Sequence, residues 1–258
     1  MKRGSTMVYI CIPCRDEDRT VGVLLWKIRE VMAELRRDYE LIVLDDASRD
    51  GTPALLEKYR RVLPLTVLSM RRPAGYGAAV ERLLRAAAGR TRYPKRDAIV
   101  TMQGDFTDHP DHLGPLLRTF EGGADIVAGE AGEEAMVAPP PRVVRFARRL
   151  GRIALGRREA GAPDGNPLQG FRAYRAVVVK KALRAARDRP LVTTDGWAAN
   201  AELMKVLAPF ARRTANVQVE PRYDIRWRRS RVRVFATLRE ILRVRRVPPL
   251  EPERHGAA

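Results

Sequence analysis

Sulfur, histidine and long apolar runs are what this chain has least of. Its 258 residues include two cysteines, Cys11 and Cys14, and three histidines. That count excludes a disulfide-stapled scaffold. The "CIPC" spacing leaves a redox pair open, and His109 and His112 of "HPDH" leave a Cys2His2 zinc site open. The surroundings argue against both. Cys11 lies inside the apolar stretch "VYICIP", where a small buried thiol is ordinary. Pro13 and the acidic "RDED" suit a strand end better than the helix start that a redox pair normally opens. No run approaches the roughly 18 apolar residues of a membrane span. The opening "MKRGSTMVYICIPC" reads as a first strand rather than a signal peptide, so the expected location is cytoplasmic.

Acidic residues are scarce in one half only. Residues 1–140 carry 21 Lys+Arg and 21 Asp+Glu, whereas residues 141–258 carry 28 and 10, so the second half holds the whole net charge of +18. Such an imbalance suits a polyanionic partner: nucleic acid, an anionic membrane surface or a phosphorylated substrate. Arg outnumbers Lys 42 to 7, which coding bias explains, but bias does not place the surplus in one half. A nucleic-acid partner is not expected. The chain lacks an RNA-binding aromatic pattern, a C2H2 spacing and a helix-turn-helix signature.

What is present is a core and an alternation. Hydrophobic residues make up 45 % of the chain, enough for one large α/β domain or two small ones. Strand-length apolar runs at 7–13, 39–46, 65–70 and 97–102 alternate with helical spacings at 20–37, 52–62 and 75–89. That order predicts a mostly parallel sheet covered on both faces, with ligands bound at the carboxyl ends of its strands. Acidic residues stand at three of those ends: Asp16/Glu17, Asp45/Asp46 and Asp105. Beyond residue 123 the pattern loosens. A loop is expected over 130–142, a basic helix over 142–156, and a strand or helix after the turn in "NPLQGFRAYRAVVVKKAL". A helix starting near Asp195 or Gly196, a strand at 215–225 and an amphipathic basic helix at 232–246 follow. On the last, Phe235, Leu238, Ile241 and Leu242 are expected on one face, with Arg239, Arg243 and Arg246 largely off it.

"GYGAAV" lacks the third glycine of a dinucleotide fingerprint and follows the third strand, so it is weak evidence for one. "DDASRDGT" is more specific. Two carboxylates at a strand end, then a Ser/Asp turn and a Gly-Thr helix start, make a pocket where a carboxylate can accept from a base N–H or ribose hydroxyls. A capped turn accounts for Ser48, Asp50 and Thr52 but not for Asp45 and Asp46.

With "IPCRDE", "VLDDASRDGT", "GYGAAV", "TMQGDFTDHPDHL", "GADIVAGE", "LQGFRAYR" and "RWRRSR" in this order, residues 7–235 resemble family 2 glycosyltransferases, and among them the dolichol/polyprenol-phosphate sugar synthases. The resemblance implies a GT-A fold, Rossmann-like, in a domain over 1–230. Its nucleotide-sugar half would be about 7–110, its acceptor half about 111–230, and 231–258 would form a basic amphipathic helix and tail. It also implies inverting transfer from a UDP- or GDP-linked sugar. By position it places Pro13, Arg15 and Glu17 in the nucleotide segment and gives Asp46 the nucleoside. Gln103 and Asp105 fall on the D-x-D metal pair, Asp105 also near the nucleotide, with Thr107 a further ligand for Mg²⁺ or Mn²⁺. Arg226, Ser230 and Arg231 fall on a basic segment near an acceptor phosphate.

The chain departs from that pattern at several places. Gln103 replaces a carboxylate and offers the metal an uncharged oxygen. "GEA" at 129–131 lacks an arginine the pattern has, and Asn166 and Gln169 stand where Asp and Ser are usual. Two acceptors stay open. Polyprenyl phosphate is a ready anionic nucleophile at the cytoplasmic membrane face. A soluble hydroxyl acceptor needs a general base, and Asp195 of "TTDGW" is the candidate, with capping of its own helix as the structural alternative. Glu202 can share its face or pair with an arginine.

Overall fold

The computed structural model describes residues 6–131, 145, 146, 149, 167–222 and 234–251. The first half alternates as the sequence predicts. It runs β1 (Val8–Cys14), α1 (Val21–Leu35), β2 (Tyr39–Asp45), α2 (Thr52–Arg60), β3 (Leu65–Ser69), α3 (Tyr76–Arg90) and β4 (Ala98–Thr101). A 3₁₀ turn at Pro110–His112 leads into α4 (Leu113–Glu121), then β5 (Ile126–Ala131). The second half contributes β6 (Arg172–Arg175), α5 (Ala176–Ala186), α6 (Trp197–Leu207), β7 (Thr214–Val219) and α7 (Val234–Arg246).

The seven strands form one sheet in the order β3-β2-β1-β4-β6-β5-β7. β2 and β4 flank β1 in parallel, β3 adds to β2, and β7 pairs in parallel with β5. β6 runs antiparallel to both neighbours, so the sheet is parallel except for one inserted strand. The "FRAYRAVVVKKAL" stretch, open between strand and helix in sequence, is both: four residues of β6, then α5.

Strand alternation divides the core into two layers. Val8, Ile10, Ile12 and Cys14 of β1 point to one side with the buried faces of α1 and α4. Tyr9 and Cys11 point to the other, where α3, α5 and α6 pack. The two cysteines therefore lie on opposite faces of β1, and both are free and buried. Facing opposite ways along β1, they are not placed to act as a redox pair. Among the described residues no group of three or more His, Cys, Asp or Glu gathers at one point.

The last strand is shorter than its sequence pattern. β7 ends at Val219, because Pro221 has no N–H for a ladder and the Glu220 N–H goes instead to His112 Nε2 at 3.3 Å. On α7 the expected single apolar face divides in two. Ile241 (0 % exposed) and Val244 (2 %) are buried against Ala198 and Ala201 of α6. Phe235 and Leu242 remain in solvent. The basic helix expected over 142–156 lies almost wholly outside the described residues. No described helix is long and apolar enough to cross a membrane.

Candidate active site

The loops leaving β1, β2 and β4 meet at one end of the sheet and are bonded to one another. The Asp16 N–H donates to Ser48 Oγ (2.9 Å), and the Arg49 N–H returns a bond to Asp16 Oδ1 (2.8 Å). The Glu17 N–H donates to Thr52 Oγ1 (2.8 Å), and the Asp18 N–H to Asp50 Oδ2 (3.1 Å). The Asp50 carboxyl sits below its ordinary range: burial opposes ionisation, but hydrogen bonds from Thr52 and Asp18 outweigh it. The β4 loop joins through Thr20, whose hydroxyl lies 3.0 Å from Glu17 Oε2 and 3.2 Å from the Gly104 carbonyl. Gly104 has no room for a side chain, since a Cβ there would lie 2.8 Å from Cys14 Sγ and 3.0 Å from the Pro13 carbonyl. Asp16, Ala47 and Phe106, one in each loop, all take positive φ, which non-glycine residues adopt at a cost. Strain concentrated in this way is characteristic of functional sites.

Asp46 follows β2, and both of its oxygens are engaged. Oδ1 accepts the Ala74 N–H (2.7 Å) and Oδ2 the Gly75 N–H (3.1 Å). Asp45 in turn accepts the Ser48 N–H (3.1 Å), so one of the two unexplained carboxylates belongs to the turn. An ionised carboxylate has about four acceptor positions, which leaves Asp46 capacity for a ligand N–H or hydroxyl. The buried Glu17 and Asp105 stand at the neighbouring strand ends.

Asp195 reaches the same place from the far half of the chain. Its Oδ1 accepts the Gly77 N–H at 3.0 Å, in the first turn of α3. Gly196, not Asp195, precedes its own helix α6, and no side chain caps that end. Asp195 thus caps a different helix from the one expected, complementing its positive end. Two glycines permit this approach. A Cβ on Gly75, which has φ +90, would lie 2.6 Å from Asp195 Oδ2, and one on Gly77 would lie 2.2 Å from the Thr194 carbonyl. These contacts are the physical use of "GYGAAV", and the helix end it opens is taken by carboxylates rather than left for a phosphate.

Glu202 holds the Asp195 loop. It is fully buried, and it accepts the N–H and hydroxyl of both Thr193 and Thr194 at 2.7–3.0 Å. The arginine partner that its charge suggested is replaced by these four donors.

The metal candidates occupy the turn after β4. The Thr107 N–H closes it on Asp105 Oδ1 (3.1 Å). The Thr107 hydroxyl is buried with no hydrogen-bond partner among the described residues, and a bound cation would satisfy it. One carboxylate and two neutral oxygens, from Gln103 and Thr107, suit a hard cation whose remaining ligands are substrate phosphates. The residues present therefore fit Mg²⁺ or Mn²⁺, with less charge than a paired carboxylate site.

Asp108, which sequence reading passed over, accepts the Gln103 N–H (2.9 Å) and the Gln169 side-chain amide (3.3 Å). It thereby ties the β4 turn to the segment before β6. Next to it, Arg172 is buried with its guanidinium on the carbonyls of Asn200 (2.6 Å) and Pro167 (2.7 Å). Tyr76 donates its hydroxyl to Asn200 Oδ1 (2.9 Å), and burial, then the nearby Asp108, pushes its pKa up. Arg15 and Pro13 flank the β1 end, Arg15 within 4.0 Å of Asp16. Arg226, Ser230 and Arg231 lie outside the described residues.

Residues 9–188 match the model of glycosyl transferase family 2. An undecaprenyl-phosphate 4-deoxy-4-formamido-L-arabinose transferase of Pseudomonas fluorescens (strain Pf0-1) is 27 % identical over 187 residues, 70 % of this chain and 50 % of that protein. A dodecaprenyl-phosphate galacturonate synthase of Rhizobium johnstonii is 29 % identical over 114 residues, 43 % of this chain and 32 % of that one. The chain spans half the length or less of these two relatives. Among solved structures, glucosyl-3-phosphoglycerate synthase from Mycobacterium tuberculosis with Mn²⁺, UDP-glucose and phosphoglyceric acid superposes with a TM-score of 0.62 at 21 % identity, covering 96 % of this chain and 82 % of that one. At that identity the likeness is one of fold.

Proposed function

The chain belongs to glycosyl transferase family 2, and from that premise we propose that it moves a sugar from a UDP- or GDP-linked donor to a polyprenyl phosphate, with inversion, at the cytoplasmic face of the membrane. The observation that carries this reading is the interlock of the three loops. Through Thr20, Ser48 and Thr52 it sets Glu17, Asp46 and the 103–107 turn at one end of the sheet. Both curated relatives named above use polyprenyl-phosphate acceptors, which supports the choice of acceptor.

Each residue then has a part. Asp46 accepts hydrogen bonds from the base or ribose, while its grip on Ala74 and Gly75 fixes the pocket wall. Pro13, Arg15 and Glu17 line the nucleotide on the β1 side. Asp105, Gln103 and Thr107 would hold Mg²⁺ or Mn²⁺, which supplies Lewis-acid neutralisation of the departing diphosphate. An acceptor phosphate oxygen forms the bond to the anomeric carbon as the bond to the nucleoside diphosphate breaks on the opposite face. A phosphate monoester, with a second pKa of about 6, is already anionic at neutral pH and needs no general base. Arg226, Ser230 and Arg231 are assigned to that phosphate by position. Residues 1–230 form the catalytic domain in this reading, divided into the nucleotide-sugar and acceptor halves, and 231–258 the tail.

A soluble hydroxyl acceptor is favoured by one observation. Asp195 is exposed, and its Oδ1 is steadied by Gly77 beside the Asp46 pocket, a suitable posture for a base. Calorimetry with UDP, GDP and their sugars, with and without Mn²⁺, tests the donor. Parallel turnover assays with polyprenyl phosphate and with small hydroxyl acceptors test the acceptor. Absence of nucleotide binding overturns the proposal, and transfer only to hydroxyls moves it to the second acceptor.

A further inference from the structure

The outward face of α7 is built differently from its inward face. Ile241 and Val244 dock on α6, and Lys205 of α6 donates to the Val244 and Arg245 carbonyls at 3.1 and 3.2 Å, fastening the end of α7. The helix is thus held as part of the folded body. Its opposite side still carries large apolar residues. Phe235 is 88 % exposed and Leu242 53 %, and among the described residues they line a cleft of about 510 Å³ together with Leu238, Arg239, Arg243 and Arg246.

A soluble helix that has buried one stripe has no folding reason to expose a second stripe of Phe and Leu. We infer that this outer face is a docking surface for an anionic lipid bilayer. Phe235, Leu238 and Leu242 enter the acyl boundary, and Arg239, Arg243 and Arg246 meet the headgroups. Charge chooses the occupant. Turning at 100° per residue, the three arginines fall along one edge of the apolar stripe, the arrangement of interfacial helices. Among the described residues, Arg243 alone of the three has an acidic partner, Glu240 at 2.8 Å. A second copy would bring arginine against arginine, in a half of the chain that carries 28 basic and 10 acidic residues. An anionic surface meets that charge with its complement.

The inference rests on the helix face and not on the acceptor. Membrane binding without transfer to polyprenyl phosphate would leave it standing and overturn only the acceptor reading.

The test is flotation of the full chain with phosphatidylcholine vesicles and with mixed phosphatidylcholine–phosphatidylglycerol vesicles. Binding is expected to the mixed vesicles only and is lost in high salt. Phe235→Ser with Leu242→Ser leaves the Ile241–Val244 contact intact and should abolish flotation. Arg239→Gln with Arg246→Gln should weaken it about fivefold per arginine. Circular dichroism and calorimetric nucleotide binding of both variants should match the parent, which separates lost docking from lost folding. No flotation of the parent at low salt, or flotation untouched by both variants, overturns the inference. So does concentration-dependent self-association of the parent that Phe235→Ser with Leu242→Ser removes, for the face would then join two copies.

Discussion

Asp46 and Asp195 grip the same helix end: Asp46 takes the N–H groups of Ala74 and Gly75, and Asp195 takes that of Gly77. One carboxylate follows β2 and the other comes from the loop before α6, so the start of α3 is where two distant stretches of the chain are held in register. Their mutants should nevertheless behave differently.

Asp46→Ala removes two accepted N–H bonds together with the proposed ligand contact. Nucleotide affinity should fall by about 1–3 kcal/mol in calorimetry, with some loss of thermal stability. Unchanged affinity for UDP and GDP would take Asp46 out of the nucleotide site and leave it as a loop anchor.

Asp195→Asn keeps an oxygen for the Gly77 N–H but cannot act as a base. Stability should change by less than about 1 kcal/mol. Turnover with polyprenyl phosphate should persist, whereas turnover with a hydroxyl acceptor should drop by about 10²–10⁴. Comparing the two assays on one variant identifies the acceptor class.

Gln103→Asp adds a charged oxygen beside Asp105. Less Mg²⁺ or Mn²⁺ should then be needed for half-maximal turnover, and the metal should raise the melting temperature of the variant more than that of the parent. Indifference of both proteins to chelators and to added metal would make residues 103–107 an ordinary turn.

Glu202→Gln puts a donor where four donors converge, leaving buried partners of Thr193 and Thr194 unmatched. A loss of about 1–3 kcal/mol is expected, and a chain of this size loses about 2–4 °C for each kcal/mol. Activity should fall as well, because the Asp195 loop loses its anchor. A melting temperature equal to the parent's would contradict the buried arrangement.

His112 should make stability pH-dependent. Its pKa is held below the ordinary 6.5, first by burial and then by the neighbouring His109, and its Nε2 must be unprotonated to accept the Glu220 N–H. A base whose folded pKa is depressed contributes stability that is present above 6.5 and lost as pH falls below it. His112→Gln keeps an acceptor that does not titrate, so its melting temperature should vary less with pH across that range.

The strand and helix order of residues 7–102 was legible in the sequence, because apolar period is a local property and each strand end is marked by turn residues. The cluster of acids at the carboxyl ends was legible for the same reason: a parallel sheet puts the ends of β1, β2 and β4 together whatever the details. The family was legible in the order of its short motifs. Other features depended on contacts between distant parts of the chain, which no local pattern encodes. β6 inserts antiparallel between β4 and β5 because of what it pairs with, since its four residues "RAYR" carry no direction. Asp195 looks like the cap of its own helix in sequence, and Glu202 looks like a partner for arginine. Tertiary packing sends the first to α3 and surrounds the second with two threonines. The sequence of α7 supplied its apolar residues but could not say that burying Ile241 and Val244 would leave Phe235 and Leu242 facing out. Only docking on α6 chooses which side of a helix is inside, because a helical period fixes the angles between side chains but not the direction of the neighbour.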